Sequence, residues 1–334
     1  MTAEEVTLLA LSRHQLAILI ADLLVVSFMG AVAAAAHGTR VNLLLFPELA
    51  ALSHDVLTRP RGKWASQPVQ IILTPTLAAI AGLFITRHTH YGAIPVLMIV
   101  LASLVIIRLL RSTVTPAISA GLLPMALDER HWMYPVAIFV GLVCLTVMLG
   151  IWQRYGYAME SAPVDTEDRT IDALEANSTD RFWLVTLLAF VLVLALVGQF
   201  TGLRFILFPP LIVMAYEILG HPELPGWIER PVLFPLVCFL TASVGLLACR
   251  GLDDGPFGVV VTVAVSILLL RVFRVHMPPA LAVGVLPFVI TAPDIWYPAS
   301  VGIGTVALTL CFLGRGYLRK PLITARESIR ARSL

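Results

Sequence analysis

Charge is scarce in this chain. Asp, Glu, Lys and Arg make up 13% of 334 residues, where soluble domains carry about 25%. The net charge is only +2, and no basic stripe is interleaved with aromatics. That excludes nucleic acid as the partner. Cysteine is equally sparse. Cys144, Cys238, Cys249 and Cys311 fall within or at the end of apolar runs, without metal-ligand or disulfide spacing, and read as small packing residues. No glycine-rich phosphate loop, H-E-x-x-H pair, G-x-S-x-G elbow or Cys/His cluster occurs. Neither an enzyme nor a bound cofactor or metal is therefore expected. The longest polar stretch, 154–182, is far too short for a nucleotide-binding domain, which argues against an ATP-driven pump. A basic leader patch is also lacking. Glu4 and Glu5 stand there instead, and the first apolar run, 16–36, has the length of a retained helix.

What the chain has is apolar sequence. Apolar residues make up 58% and mean hydropathy is +0.89. Runs lie near 15–36, 41–57, 69–86, 92–110, 114–127 and 135–153, then 183–200, 203–219, 232–249, 257–273, 278–290 and 297–314. Most have no polar face, as lipid contact requires and a soluble core helix does not. The expected fold is all-α, a polytopic transmembrane bundle of about 10–12 membrane segments. The runs 41–57, 114–127, 203–219 and 278–290 are short for a span and carry Pro or Gly, so they are expected to be tilted, broken or re-entrant.

The runs are ordered as a tandem repeat. Trp64, Pro68, Gly82, Arg108, Arg111, Pro116, Gly121, Pro124, Tyr134 and Pro135 recur 163 positions on as Trp227, Pro231, Gly245, Arg271, Arg274, Pro279, Gly284, Pro287, Tyr297 and Pro298. A one-residue slip upstream matches Phe46-Pro47 to Phe208-Pro209. The chain divides into a first membrane repeat 1–153, a polar acidic linker 154–182, a second membrane repeat 183–314 and a basic tail 315–334. Duplicated units in a bilayer place a pseudo-symmetric interface at mid-membrane, a usual place for a transport site. Lysine and arginine set the orientation. With six crossings per repeat and the N-terminus inside, 18 of the 23 Lys and Arg fall on the inner side and 5 on the outer. With five crossings the repeats invert and the split falls to 15 and 8. Parallel six-plus-six, in the cell membrane with both termini cytoplasmic, is the expected topology.

The most polar stretch of each copy follows its fourth run: IIRLLRSTVTPAISAGLLP and LLLRVFRVHMPPALAVGVLP. Arg108 and Arg111, like Arg271 and Arg274, are three apart and share a face of a helix end. Pro116 and Pro278-Pro279 mark where a new short helix begins. Its unpaired N–H groups and dipole, with the arginines, suit an anion. Thr113 and Thr115 line this break in the first copy and His276 in the second; His276 could also carry protons. Gly121, Gly284, Pro124 and Pro287 read as helix-packing features. A second group surrounds the other short runs. Arg40 and Arg204 open them, and His54, Asp55 and Glu217 near their inner ends are candidates for proton coupling. Trp64, Trp227, Tyr134 and Tyr297 read as interfacial anchors.

These motifs resemble the HPP family of integral membrane proteins. GLRFILFPP resembles its small-residue turn into an LLF run, and Gln67-Pro68 its Q-P step, replaced by Arg230-Pro231 in the second copy. LLLRVFRVHMPPALAVG resembles its His-Pro-Pro signature, carried by Arg274, Pro278, Pro279 and Gly284; Arg111, Thr115, Pro116 and Gly121 stand there in the first copy. The signature histidine is replaced by Met277, with His276 one residue early, and by Val114 in the first copy. The resemblance covers most of each half and identifies the chain as a fused pair of HPP-like units. It implies transport, nitrite being the family's characterised substrate. The expectation is a secondary transporter or permease for a small anion, nitrite-like or an organic acid, bound between the repeats near the broken helices. The alternatives are an exporter of aromatic or amphipathic acids and a non-transport scaffold that binds lipid. Expected partners are the bilayer, the anionic solute and a second copy in a dimer.

Overall fold

Uniformly apolar runs bounded by Pro, Gly and charge fold here into helices and nothing else. The computed structural model describes residues 3–156, 183–220, 230–252 and 255–331, with side chains over 15–155, 183–220, 230–252 and 255–315. Most of the acidic linker, Trp227 and the side chains of the basic tail lie outside the described residues. Among those described there is no strand.

The helices are α1 Ala3–Thr39, α2 Glu48–Thr58, α3 Pro68–His88, α4 Ala93–Leu109, α5 Ala117–Leu127 and α6 Met133–Ile151, then α7 Trp183–Thr201, α8 Pro209–Gly220, α9 Leu233–Gly251, α10 Pro256–Phe273, α11 Pro279–Val285 and α12 Tyr297–Ala331. Short 3₁₀ turns, Asn42–Leu44 and Arg204–Leu207, lead into α2 and α8. Seven helices are long and apolar enough to cross a membrane: those of α1 from Gln15, α3, α6, α7, α9, α10 and α12 to Arg315. From residue 315 the basic stretch continues α12 as helix to Ala331.

The helix ends fall on two faces. On one, Trp152 Nε1 at the end of α6 donates to Leu57 O at the end of α2, 3.1 Å. Trp64 Nε1 before α3 donates to Thr113 O after α4, 2.9 Å. Arg315 Nη1 in α12 donates to Leu219 O at the end of α8, 2.6 Å. We call this the break face, because both helix breaks, 110–116 and 274–278, open toward it. On the opposite face Arg87 at the end of α3 donates to Arg130 O after α5, 2.8 Å. Arg250 at the end of α9 donates to Pro293 O after α11, 2.7 Å. Helices therefore alternate in direction along the chain. The segments at 114–127 and 278–290 run from the break face toward the opposite one and do not turn back.

The four short helices α2, α5, α8 and α11 form the centre. Every residue of α11, and every residue from Glu48 to Leu57 in α2 and from Ala117 to Ala126 in α5, is buried. They pair across the halves of the chain: α2 packs on α11, and α8 on α5. The long helices cross over likewise, α1 onto α10 and α4 onto α7. At 1.5 Å per residue an 11-residue helix is about 16 Å long, half of a hydrocarbon core of about 30 Å. Enclosure by long helices gives these half-length pieces a place in a membrane.

Glycine permits the closest approaches. A Cβ on Gly82 would strike the carbonyl of Gly121, and one on Gly245 the carbonyl of Gly284. A Cβ on Gly121 would meet Ser103 Oγ at 2.5 Å and Ala78 O at 3.2 Å; on Gly284 it would meet Ser266 Oγ at 3.0 Å and Thr241 O at 3.3 Å. Backbone-to-backbone packing of this kind is how apolar helices associate in lipid. Tyr134 and Tyr297 are not interfacial anchors. Both are fully buried, and their hydroxyls donate to Ala120 O and Val283 O, each at 2.7 Å. A buried phenol needs such a partner, and here it clamps α6 to α5 and α12 to α11.

Candidate functional site

Two junctions between short helices bring the polar residues of the centre together. The first joins the end of α2 to the break before α11. His276 Nε2 lies 3.2 Å from Asp55 Oδ1. Asp55 also accepts from Arg59, one helical turn on, with Nε at 3.1 Å and a closer contact from Nη2. His54 stands beside them, its ring centroid 6.2 Å from that of His276 and its Nε2 3.9 Å from Asp22 Oδ1 in α1. Asp22 in turn pairs with Arg271 at the end of α10. Six ionisable side chains thus form one row, Arg271–Asp22–His54–His276–Asp55–Arg59, drawn from α1, α2 and α10 with its flanking break. Asp55 is 1% exposed at its side chain and His276 42%, so the row lies along the break face with Asp55 as its buried member.

The second junction joins the end of α8 to the break before α5. Thr115 Oγ1 donates to Glu217 Oε1 at 2.8 Å. The break is fixed from its other side by Gln67, whose Oε1 accepts from Thr113 N at 3.0 Å and from Thr113 Oγ1 at 3.2 Å. Asp55 and Glu217 are 162 positions apart, the slip that also matches Phe46-Pro47 to Phe208-Pro209. In both junctions a carboxylate near the end of a short helix therefore meets the break belonging to the other half.

A third polar contact lies deeper. Glu48, 2% exposed, opens α2 and accepts a hydrogen bond from Ser119 Oγ in α5. Its second oxygen, Oε2, meets no donor among the described residues. Glu48 and Ser119 escaped notice in the sequence because they are 71 positions apart. The available signal was a carboxylate directly after Phe46-Pro47, seven residues before Asp55 in the apolar run 41–57. Asp22, the lone acid of the run 16–36, was missed in the same way.

Apart from Arg271, which pairs with Asp22, the arginines expected at the site stand apart from these contacts. Arg108, Arg111, Arg271 and Arg274 are exposed at the break face, and Arg40 and Arg204 at the opposite one. Arg111 and Arg274 end their helices in the left-handed conformation, with φ of 47° and 53°. The amide that follows each reaches back five residues, Ser112 N to Ile107 O at 2.9 Å and Val275 N to Leu270 O at 3.0 Å. This is the usual glycine-type helix stop. A non-glycine residue is costlier there, by about 1–2 kcal/mol, so the turn alone gives no reason for arginine. Pro116 and Pro278 occupy the N-cap positions of α5 and α11, and Pro279 the first turn of α11. Arg204 instead lies over the ring of Tyr91, 5.0 Å from its centroid. The structure thus brings His54, Asp55, His276 and Arg271 into one row and joins Thr115 to Glu217. It does not bring Arg111 and Arg274 to the centre.

Among the described residues no group of three or more His, Cys, Asp or Glu is arranged to hold a metal ion. The chain matched no protein-family model, no curated protein and no solved structure.

Proposed function

We propose that the chain is a secondary membrane transporter made of two tandem, parallel six-helix units, α1–α6 and α7–α12. The observation that carries this reading is the centre itself. Four helices too short to span are enclosed by long apolar ones and carry carboxylates to the breaks of the opposite half. Half-length helices meeting at mid-membrane with ionisable groups between them are the usual construction of a transport site. Sliding one unit against the other would exchange the partners of Asp55 and Glu217 and open either face in turn. Recurrence of the Gly82/Gly121, Tyr134/Ala120 and carboxylate-to-break contacts 162 or 163 positions on supports the duplication.

The solute we propose is a small anion, nitrite-like or an organic acid. Arg108, Arg111, Arg271 and Arg274 would concentrate it at the break face by their field. Membership of the HPP family is part of the same proposal and rests on the residues around the second break. Arg59, Arg61, Lys63, Arg154 and Arg230 share the break face with these four, whereas Arg40, Arg87, Arg130, Arg204 and Arg250 lie opposite. By the positive-inside rule the break face, with both termini, is cytoplasmic. The test is flux of an anion panel, aromatic acids included, through proteoliposomes. Arg274→Gln should abolish uptake of the substrate while the protein stays folded, and unchanged flux removes the arginine from the site. Preference for aromatic acids would move the assignment to an exporter. Cysteines placed in 157–182 should resist labelling from outside intact cells; labelling would overturn the orientation.

One observation favours a non-transport reading, a lipid-binding scaffold. The centre is filled by side chains such as Phe46, Leu49, Leu52, Ile118 and Phe208, all fully buried, and the arginines face outward where anionic headgroups lie. Absence of flux across the whole panel would favour it.

A further inference from the structure

We propose that Glu48 is a proton-binding site at the middle of the bundle, the group through which transport is coupled to protons. The inference rests on the transport reading for its second half only; proton binding by Glu48 stands on its own geometry. α2 ends at the break face with Thr58, and ten residues at about 1.5 Å each put Glu48 about 15 Å deeper, near half of a hydrocarbon core of about 30 Å. Its carboxyl is closed off from both faces. Ser119 Oγ engages Oε1, and Oε2 meets no donor among the described residues.

A permanently ionised carboxylate would leave a buried charge with one hydroxyl and the N-terminal end of α2 for company, whereas the protonated form is neutral. A metal cation would require several oxygens around it; a proton requires one. The groups that face Glu48 do not supply a permanent positive charge. The hydroxyls of Tyr134 in α6 and Tyr297 in α12 are already committed to Ala120 O and Val283 O. α5 and α11 carry no charged residue within the helices. In α1, Asp22 lies toward the break face, against His54 and Arg271.

Packing does not account for the residue. In the second half Pro210 and Ala282 occupy the positions of Glu48 and Ser119, both buried, and α8 and α11 still pack on each other. Glu48 also shares one stripe of α2 with Asp55, seven residues on. A proton arriving at the row of Asp55, His276 and His54 would have about 10 Å to travel along that stripe. The bundle must open transiently for the transfer, as any alternating site must.

The experiment is infrared difference spectroscopy of the full-length protein in lipid through a pH series, followed by uptake driven by a pH gradient. Wild type should show the C=O band of a protonated carboxyl that titrates with pH. Glu48→Gln, a near-isostere, should lose that band. Ser119→Ala should keep it and move its midpoint to higher pH, because a donor to the ionised form is gone. If Glu48→Gln does not fold, the Ser119→Ala shift decides. A band that survives Glu48→Gln, a midpoint indifferent to Ser119→Ala, or a signal that follows sodium at constant pH overturns the site. In vesicles, accumulation driven by the pH gradient should be lost in Glu48→Gln; full retention overturns the coupling role. If wild type moves no solute while the band titrates as described, the transport reading fails and the proton site stands.

Discussion

Where α2 meets the break before α11, four ionisable side chains crowd together: Asp55, Arg59, His54 and His276. Where α8 meets the break before α5, a threonine hydroxyl and a glutamate make the corresponding contact. The helices around the two junctions are packed alike, down to the glycine pairs Gly82/Gly121 and Gly245/Gly284. The neutral hydroxyl of Thr115 does at one junction what the histidine does at the other. The difference teaches that packing and charge are separable here. The second junction forms around Glu217 without a histidine in its break, and proton movement along α2 is the use we propose for the row at the first.

The packing half of that comparison is the easiest to break. Gly82→Ala and Gly245→Ala should each destabilise the protein by about 3 kcal/mol or more, because the new methyl meets a backbone carbonyl that cannot rotate aside. Thermal unfolding in detergent, with size-exclusion chromatography to detect aggregation, measures both. If one variant is severe and the other mild, the two halves are not held in the same way.

Next comes the charge half. Asp55→Asn leaves Arg59 and His276 facing an amide, and breaking a buried pair costs about 3–5 kcal/mol. Arg59 is partly exposed at the break face, so the lower end of that range is expected. Thr115→Val removes one hydroxyl-to-carboxylate bond and should cost about 1–2 kcal/mol. The pair of melting temperatures checks the order. Equal losses would mean that the ionic row holds the fold together after all.

How much of this was legible in the chain differs between fold and site for one physical reason. Lipid imposes its demand segment by segment, so each apolar run could be read alone, and all twelve runs appear as helices. Even the break after Arg111 and Arg274 was visible, because proline is favoured where a new helix starts. Partners that are far apart in sequence left no such trace. Nothing local to Glu48 announces Ser119, and nothing in α2 announces that it packs along α11 of the other half. The anion expectation rests on Arg111 and Arg274 because they flank the breaks. In three dimensions the breaks dip inward, burying Val114 and Met277, while the arginines stay at the rim, where an ammonium or guanidinium is far cheaper to keep.

The smallest expected effect is the most symmetric. Tyr134→Phe and Tyr297→Phe each delete one hydroxyl that donates to a carbonyl of a short helix, and each should cost about 1 kcal/mol, plus the penalty of leaving that carbonyl without its partner. The rings stay, so the packing of α6 on α5 and of α12 on α11 is preserved. Stability alone should therefore not distinguish the two variants. Tyr134 holds Ala120, next to Ser119, whereas Tyr297 holds Val283. Loosening Ala120 lets Ser119 turn away from the carboxyl. Equal melting temperatures with a titration of the Glu48 band that moves further in Tyr134→Phe would tie the central carboxyl to the α5 junction. Equal movement in both would mean that the two tyrosines act on Glu48 through the shared centre rather than through Ser119.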